Sequence, residues 1–394
     1  MTDAILTLNA GSSSLKFAVF AVEEDGVTPR LRGKIENIGA APHMVAVDAK
    51  GAPLIERRWN VDEALAHEAF LAPLLEWIDD HLGGDRLVAI GHRVVHGGTA
   101  FNTPVLVTDA VLTALDALSP MAPLHQPHNL AAIRAAQTAR PGLAQCACFD
   151  TAFHSGHADV VTRFALPRRW HDEGVRRYGF HGLSYEYVMG RLMTLDPTLA
   201  AGKVLVAHLG AGASLCAVSA GRSIDTTMGF TALDGLVMGT RCGALDPGVV
   251  LYLQQQAGLT PSAIEDLLYA QSGLLGVSGF SSDMRSLLAS DDPNARQAIE
   301  LFVFRVAREA GALMASLEGL DGLIFTGGIG ENAAEIRHAV AERLAWTGLV
   351  IDRDANDQGA GRISDSRSKV AVWVIPTDEE IMIARHVLEV TAGL

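Results

Sequence analysis

The feature that most constrains this chain is a repeat. LNAGSSSLKFAVFA, residues 8–21, is echoed by HLGAGASLCAVSA, residues 208–220, with Gly11 aligned to Gly212 and Leu15 to Leu215 once one serine is gapped. Each copy runs an apolar strand into a small-residue turn and then directly into another strand. Two copies about 200 residues apart point to duplication of one domain type, each with a tight hairpin facing a shared cleft. Chance likeness between two Gly/Ser turns is the competing explanation. Length agrees with duplication, because 394 residues exceed what one hydrophobic core usually organises.

The rest of the pattern is α/β. Strand-like runs at Ile5–Leu8, Leu15–Val22, Leu87–Ile90, Val204–His208, Leu323–Thr326 and Val370–Ile375 alternate with segments of helical period. The helical segments are Val61–Leu82, His128–Arg140, Pro261–Ala270 behind Thr260 as N-cap, and Asn294–Leu317. Gln358–Lys369, polar and rich in Gly and Ser, reads as an exposed loop.

The opening hairpin is not a P-loop. That motif needs Gly, four residues and Gly-Lys-Ser/Thr feeding a helix, whereas Leu15, Phe17 and Val19 alternate with Lys16, Ala18 and Phe20 as a strand does. Its backbone N–H groups and serine hydroxyls can still face an anion. Thr326-Gly327-Gly328-Ile329-Gly330-Glu331-Asn332 follows a strand and precedes a helix that Asn332 could cap, with Glu335 three residues on. It reads either as a nucleotide loop or as a tight strand-to-helix turn.

A formal net charge of −14 with no Lys/Arg-rich run argues against a nucleic-acid or anionic-membrane binder. No apolar stretch has the length of a membrane span, and no secretory leader is visible, so a cytoplasmic enzyme is expected. Cys146, Cys148, Cys216 and Cys242 are too few and scattered for a disulfide framework or zinc ribbon. The first two would share one strand face and pack there.

Several residues carry chemistry without an evident structural task. Arg93 ends an apolar strand before a glycine turn, and Arg241 lies between glycines; both suit carboxylate or phosphate, though a surface ion pair explains Arg93 equally well. Asp150 also follows an apolar strand, where it could reach a ligand or cap the next turn. His181 lies between glycines beside aromatic residues, as a core histidine or a ligand contact. His125 with His128, and His154 with His157, lack a third ligand of metal spacing. Thr377 and Glu380 have the spacing of a capping box, which leaves Glu379 beside Asn9 as candidates for a hard cation such as Mg²⁺.

Taken in order, NAGSSSLKF, GHRVVHGG, PLHQPHN, FDTAFH, RRYGFHG, HLGAGAS, DTTMGFTALDGLVMGTRCG, SSDMR, FTGGIGEN and PTDEE resemble the acetate kinase family over nearly the whole chain. The resemblance implies a duplicated actin-like, ribonuclease H-like α/β fold: mixed sheets with flanking helices, an ATP cleft between two domains, and a homodimer. The domains would be 1–150 plus 382–394, and 151–381. It also implies reversible transfer of the ATP γ-phosphoryl group to acetate, giving acetyl phosphate and ADP, with Mg²⁺ or substituting Mn²⁺. By matching residue, Asn9 and Glu379 would form the metal site, and Ser12, Ser14 and Lys16 the phosphate-facing hairpin. Arg93 and Arg241 would hold carboxylate and phosphoryl group, His181 would stabilise the transition state, and Asp150 would be the essential acid. Val95, Leu124, His125, Phe180 and Ala232 would line the substrate site. The nucleotide segments would be His208, Leu209, Gly210, Ala211 and Gly212; Asp283, Met284 and Arg285; and Gly328, Ile329, Gly330, Glu331 and Asn332.

Two positions depart from that family. Ala211 stands where the family has asparagine and cannot donate a hydrogen bond, which implies weaker nucleotide or transition-state binding. Ala232 stands where proline is usual, and the lost volume implies better acceptance of propionate. The rival readings are a propionate or butyrate kinase and, from another class, an actin/Hsp70-like ATPase without an acyl acceptor.

Overall fold

The computed structural model describes residues 2–11, 14–59, 67–123, 125–359 and 361–392. The chain divides into two compact units, Met1–Ala152 with Asp378–Leu394, and Phe153–Thr377. The boundary expected at residue 381 falls instead before Asp378, so Glu379 belongs with the N-terminal unit.

The first unit contains β1 (Asp3–Ala10), β2 (Leu15–Glu23), β3 (Gly26–Glu36), β4 (His43–Asp48), β5 (Pro53–Arg58), β6 (Arg86–Val94), β7 (Val105–Leu106) and β8 (Ala144–Phe149). They form one sheet in the order β5-β4-β3-β2-β1-β6-β8-β7. The second unit contains β9 (Lys203–Leu209), β10 (Ala213–Ser219), β11 (Arg222–Thr226), β12 (Gly322–Thr326), β13 (Gly361–Arg362) and β14 (Ala371–Val374), ordered β11-β10-β9-β12-β14-β13. One plan recurs. Three antiparallel strands lead, and two strands parallel to the first complete β3-β2-β1-β6-β8 in one sheet and β11-β10-β9-β12-β14 in the other. The central strands are covered on both faces, which accounts for continuous apolar runs such as Val204–Ala207 in place of alternation.

Of the expected first helix, His67–His81 is helical and buries Phe70, Leu71, Leu74, Leu75 and Ile78 against β1–β4; residues 60–66 lie outside the described residues. The other three helices form at Gln126–Ala139, Pro261–Ala270 and Pro293–Leu317. Thr260 caps the second of these by accepting from Ala263 N, and Asp292 caps the third through Asn294 N. Cys146 and Cys148 are buried in β8, neither of them in a disulfide.

Three local expectations are corrected. Asn332 ends the helix Gly327–Asn332 and caps nothing, because the glycine segment is itself already helical. Asp378, not Thr377, caps the last helix, Glu379–Thr391, by accepting from Ile381 N, so no Thr377–Glu380 capping box forms; the Thr377 hydroxyl instead accepts from Ser184 Oγ. The loop 358–369 is not simply exposed, since Gly361–Arg362 pairs with β14 and Ile363 is buried. Among the described residues no helix is long and apolar enough to cross a membrane.

Candidate active site

In the first unit, parallel pairing of β6 with β8 sets Arg93 opposite Cys148 and Val94 opposite Phe149, so Asp150 emerges beside Arg93. Arg93 grips that carboxylate with two edges of contact, Nε to Oδ1 at 2.9 Å and Nη2 to Oδ2 at 2.6 Å. Its Nη1 donates to Asn9 Oδ1 at 3.2 Å, at the end of β1. Glu379 Oε2 lies 3.8 Å from Arg93 Nε and accepts from Asn9 Nδ2 at 3.4 Å. Four residues from four segments therefore form one cluster. Asp150 is 1% exposed, and its carboxylate holds Arg93 and does not cap a turn. Burial opposes the charge on Arg93, but the Asp150 and Glu379 carboxylates outweigh it and hold the guanidinium protonated. Burial pushes the Asp150 carboxyl up while Arg93 pulls against it.

The motif PLHQPHN braces this cluster through two residues whose roles the sequence did not reveal. Asn129 Oδ1 accepts from Val95 N at 3.0 Å while its Nδ2 donates to Ala10 O at 2.7 Å. Gln126 makes the matching pair with His96 N and O. The ends of β6 and β1 are thereby fixed to one helix start, where His125 stands at the N-cap position. Ser12 and Leu124 lie outside the described residues. Ser14 O accepts from Gly11 N to close the first hairpin, and Lys16 is exposed opposite Asn9. Glu380, expected as a capping residue, is half-buried; desolvation first and Glu379 second push its carboxyl up, with Lys16 opposing.

In the second unit the β9–β10 hairpin closes at Leu209 opposite Ala213, with Gly210 N donating to Gly212 O. A Cβ on Gly212 would stand 3.1 Å from both Arg241 Nη2 and His181 Nε2. Only glycine lets the backbone approach that pair of nitrogens. Arg241 is held from behind, Nη1 donating to the Ala232 carbonyl at 2.7 Å. His181 caps the helix Gly182–Leu195 in the left-handed region at φ 61°, a conformation that surrounding bonds must maintain. Its Nδ1 meets Ser214 Oγ at 2.8 Å, and Ser214 Oγ meets the Tyr185 hydroxyl. His208 stacks on His181 with centroids 4.2 Å apart, and its Nδ1 meets Ser184 Oγ, which donates to Thr377 Oγ1. Phe180 is buried, with its carbonyl accepting from His154 Nε2.

The glycine segment abuts this hairpin: Gly327, at φ 75°, would place a Cβ 2.8 Å from Leu209 O. Gly328 opens onto free space, and Ile329, Gly330 and Asn332 follow in the same short helix. The Glu331 carboxylate accepts from Gly327 N and Thr377 N, a structural use that the motif alone did not indicate. Asp283 caps the helix Met284–Leu288 and pairs with exposed Arg285, while Met284 is buried. His154 and His157 both bond Ser223 Oγ; among the described residues no group of three or more His, Cys, Asp or Glu could hold a metal ion.

The two clusters differ in what they can do chemically. One offers a rigidly held guanidinium with oxygen donors at Asn9 and Glu379. The other aims a guanidinium and an imidazole nitrogen over a bare backbone turn, which suits charge developing on an oxyanion.

Comparison with known proteins identifies the family. The sequence model of the Acetokinase family matches residues 4–385. A protein named acetate kinase from Rhodopseudomonas palustris (strain TIE-1) is 56% identical over 398 residues, covering 100% of both chains. Among solved structures, a propionate kinase from Francisella tularensis has 39% identity and TM-score 0.90, covering 98% of each chain. The Porphyromonas gingivalis acetate kinase has 34% identity and TM-score 0.86, covering 98% of this chain and 99% of its own.

Proposed function

This chain belongs to the acetokinase family, and on that premise we propose that it transfers the γ-phosphoryl group of ATP to acetate, reversibly, giving acetyl phosphate and ADP. The observation that carries this reading is the convergence of Arg241 Nη2 and His181 Nε2 on the bare turn at Gly212. Phosphoryl transfer needs little covalent help and much positioning, with positive charge and donors around the equatorial oxygens. Arg241 and His181 supply these.

Acetate is a carboxylate and already a nucleophile at neutral pH, so no proton has to be removed. Asp150 therefore acts on Arg93, holding its Nε/Nη2 edge so that the guanidinium meets the acetate in a fixed orientation. The acyl-group contacts are assigned, by likeness to the family, to Val95, Leu124, His125, Phe180 and Ala232. Asn9 and Glu379 bear the hard oxygen donors that suit Mg²⁺ or Mn²⁺, which takes one or two protein carboxylates together with substrate phosphates. When bound, that ion neutralises charge on the nucleotide's phosphates. Ser12, Ser14 and Lys16, with the segments 208–212, 283–285 and 328–332, bind the nucleotide.

The protein works as a cytoplasmic homodimer. The helix Pro247–Gln255 buries none of its residues although Leu251 and Tyr252 are 52% and 62% exposed, and a second copy would cover that apolar surface. Ala232 favours a second reading, in which propionate is also a good acceptor. Trapping with hydroxylamine tests the activity: acyl hydroxamate formed from acetate, ATP and Mg²⁺ supports it. ATP hydrolysis without hydroxamate overturns it in favour of a nucleotide-driven ATPase.

A further inference from the structure

Behind His181 stand two hydroxyls in succession. Ser214 lies on β10, and its Oγ is 2.8 Å from His181 Nδ1 and 2.5 Å from the Tyr185 hydroxyl. Tyr185 follows His181 by one turn of the helix Gly182–Leu195, and both Tyr185 and Ser214 are 0% exposed. A buried phenol must place its proton on an acceptor. Among the described residues, Ser214 Oγ is the acceptor the Tyr185 hydroxyl meets. Burial pushes the phenol pKa well above its ordinary value, so the proton stays on Tyr185.

The direction of the chain then follows. Ser214 Oγ has one hydrogen to give and has received that of Tyr185, so its own goes to the remaining partner, His181 Nδ1. A ring whose Nδ1 accepts is the neutral imidazole with its proton on Nε2. Nε2 is the nitrogen that stands over Gly212 beside Arg241 Nη2. We propose that the Tyr185–Ser214 hydroxyl relay fixes His181 as the Nε2–H tautomer, so that it meets the transferring phosphoryl group as a hydrogen-bond donor. Tyr185 and Ser214 are positioning residues: they touch His181 and not the substrate. The alternative tautomer would leave the buried Ser214 hydrogen without an acceptor and turn a lone pair toward an anionic group. Both consequences are unfavourable.

This inference rests on the reading of His181 as a transition-state donor, and its test separates the two. In the full-length protein labelled with ¹⁵N-histidine, long-range ¹H–¹⁵N correlation distinguishes protonated from bare ring nitrogens; Nε2–H with bare Nδ1 is expected for His181, assigned with His181→Gln. Bare Nε2 in the wild type overturns the relay, and that result needs no variant to fold. Tyr185→Phe is expected to shift His181 toward the Nδ1–H tautomer and to lower kcat about tenfold, the worth of one hydrogen bond, with KM for acetate and ATP within about twofold. Ser214→Ala should do the same and Ser214→Thr should restore both signals. An unchanged tautomer in Tyr185→Phe also overturns the relay. Near-native turnover in His181→Ala sinks the transition-state role instead, whatever the spectra show.

Discussion

The two arginine clusters hold a guanidinium in place with different materials. Around Arg93 two partners are charged, Asp150 which grips it and Glu379 within reach, with the neutral Asn9 amide beside them. Around His181 and Arg241 the named partners are neutral, namely Ser214, Tyr185 and the Ala232 carbonyl. A charged brace balances the guanidinium and holds its orientation through strong bidentate bonds. A neutral brace leaves the ring or guanidinium able to respond to charge that appears only during the reaction.

The sharpest way to break this comparison is to remove one member from each site. Arg93→Ala leaves the Asp150 carboxylate buried without its partner, which should cost about 3–5 kcal/mol of stability. It also removes the charged donors for the acetate carboxylate, so kcat/KM for acetate should fall by about a hundredfold to a thousandfold. His181→Ala strands no charge. It should lower kcat about a hundredfold, as Arg241→Ala should in turnover, with a smaller loss of stability than Arg93→Ala because it leaves a neutral hydroxyl, that of buried Ser214, without an acceptor. Steady-state kinetics and thermal melts check this; near-native kinetics in all three would remove the assignment.

A smaller effect separates the sites by pH. Glu380 has its carboxyl pushed above the ordinary 4.5, chiefly by burial. The folded state then binds this proton more tightly than the unfolded one, so the associated stability is present below pH 4.5 and lost as pH rises through the folded value. In the second unit, burial lowers His154 to about 3 and His157 to about 4. Stability from those two is present above pH 6.5 and lost as pH falls toward 4. Glu380→Gln should therefore raise the melting temperature by about 2–4 °C at pH 7 and by nothing at pH 4, whereas replacing both histidines with glutamine should flatten the acid side. A melt series from pH 4 to 8 decides it.

The duplication was legible because an apolar strand that breaks at Gly/Ser and resumes at once has few structural meanings. Its register was not. The closing pairs Ala10–Leu15 and Leu209–Ala213 match Gly11 with Gly210, two residues from the Gly212 that sequence likeness selects. In a run as uniform as Gly-Ala-Gly-Ala-Ser a slip of two keeps every side chain on its face, so the pattern itself cannot detect it. Arg93, Asp150 and His181 were visible as strand-end or inter-glycine residues of unusual chemistry. Ser214, Tyr185, Gln126 and Asn129 were not, because small polar residues in strands and first turns have ordinary uses, and only tertiary contact distinguishes theirs. The capping error at Thr377 has a local cause: two residues in succession could each accept from the first turn, and spacing does not rank them.

The second hairpin also carries the least expected residue. Ala211 has its carbonyl engaged by Gly239 N while its side chain is exposed, so a larger polar group has room. Ala211→Asn adds a donor to a turn of the neutral site and should raise kcat/KM for ATP several-fold, by about one hydrogen bond to a charged group at most. The same substitution should leave KM for acetate unchanged if the charged site alone holds the carboxylate. Equal changes in both would blur the division between the two sites.

The smallest effect tests whether the neutral site also sets acceptor size. The Ala232 carbonyl receives Arg241 Nη1 at 2.7 Å, and proline keeps that carbonyl while adding ring volume and restraining Thr231 to extended backbone. Ala232→Pro should thus preserve Arg241 and reduce the space for a second acyl carbon. One methylene is worth about 1–3 kcal/mol in an apolar pocket, which bounds the outcome from above. The ratio of kcat/KM for propionate to that for acetate should fall by about threefold to tenfold, with turnover on acetate retained. A fall in both substrates together would mean that the substitution moved Arg241, and an unchanged ratio would place the acyl group away from Ala232.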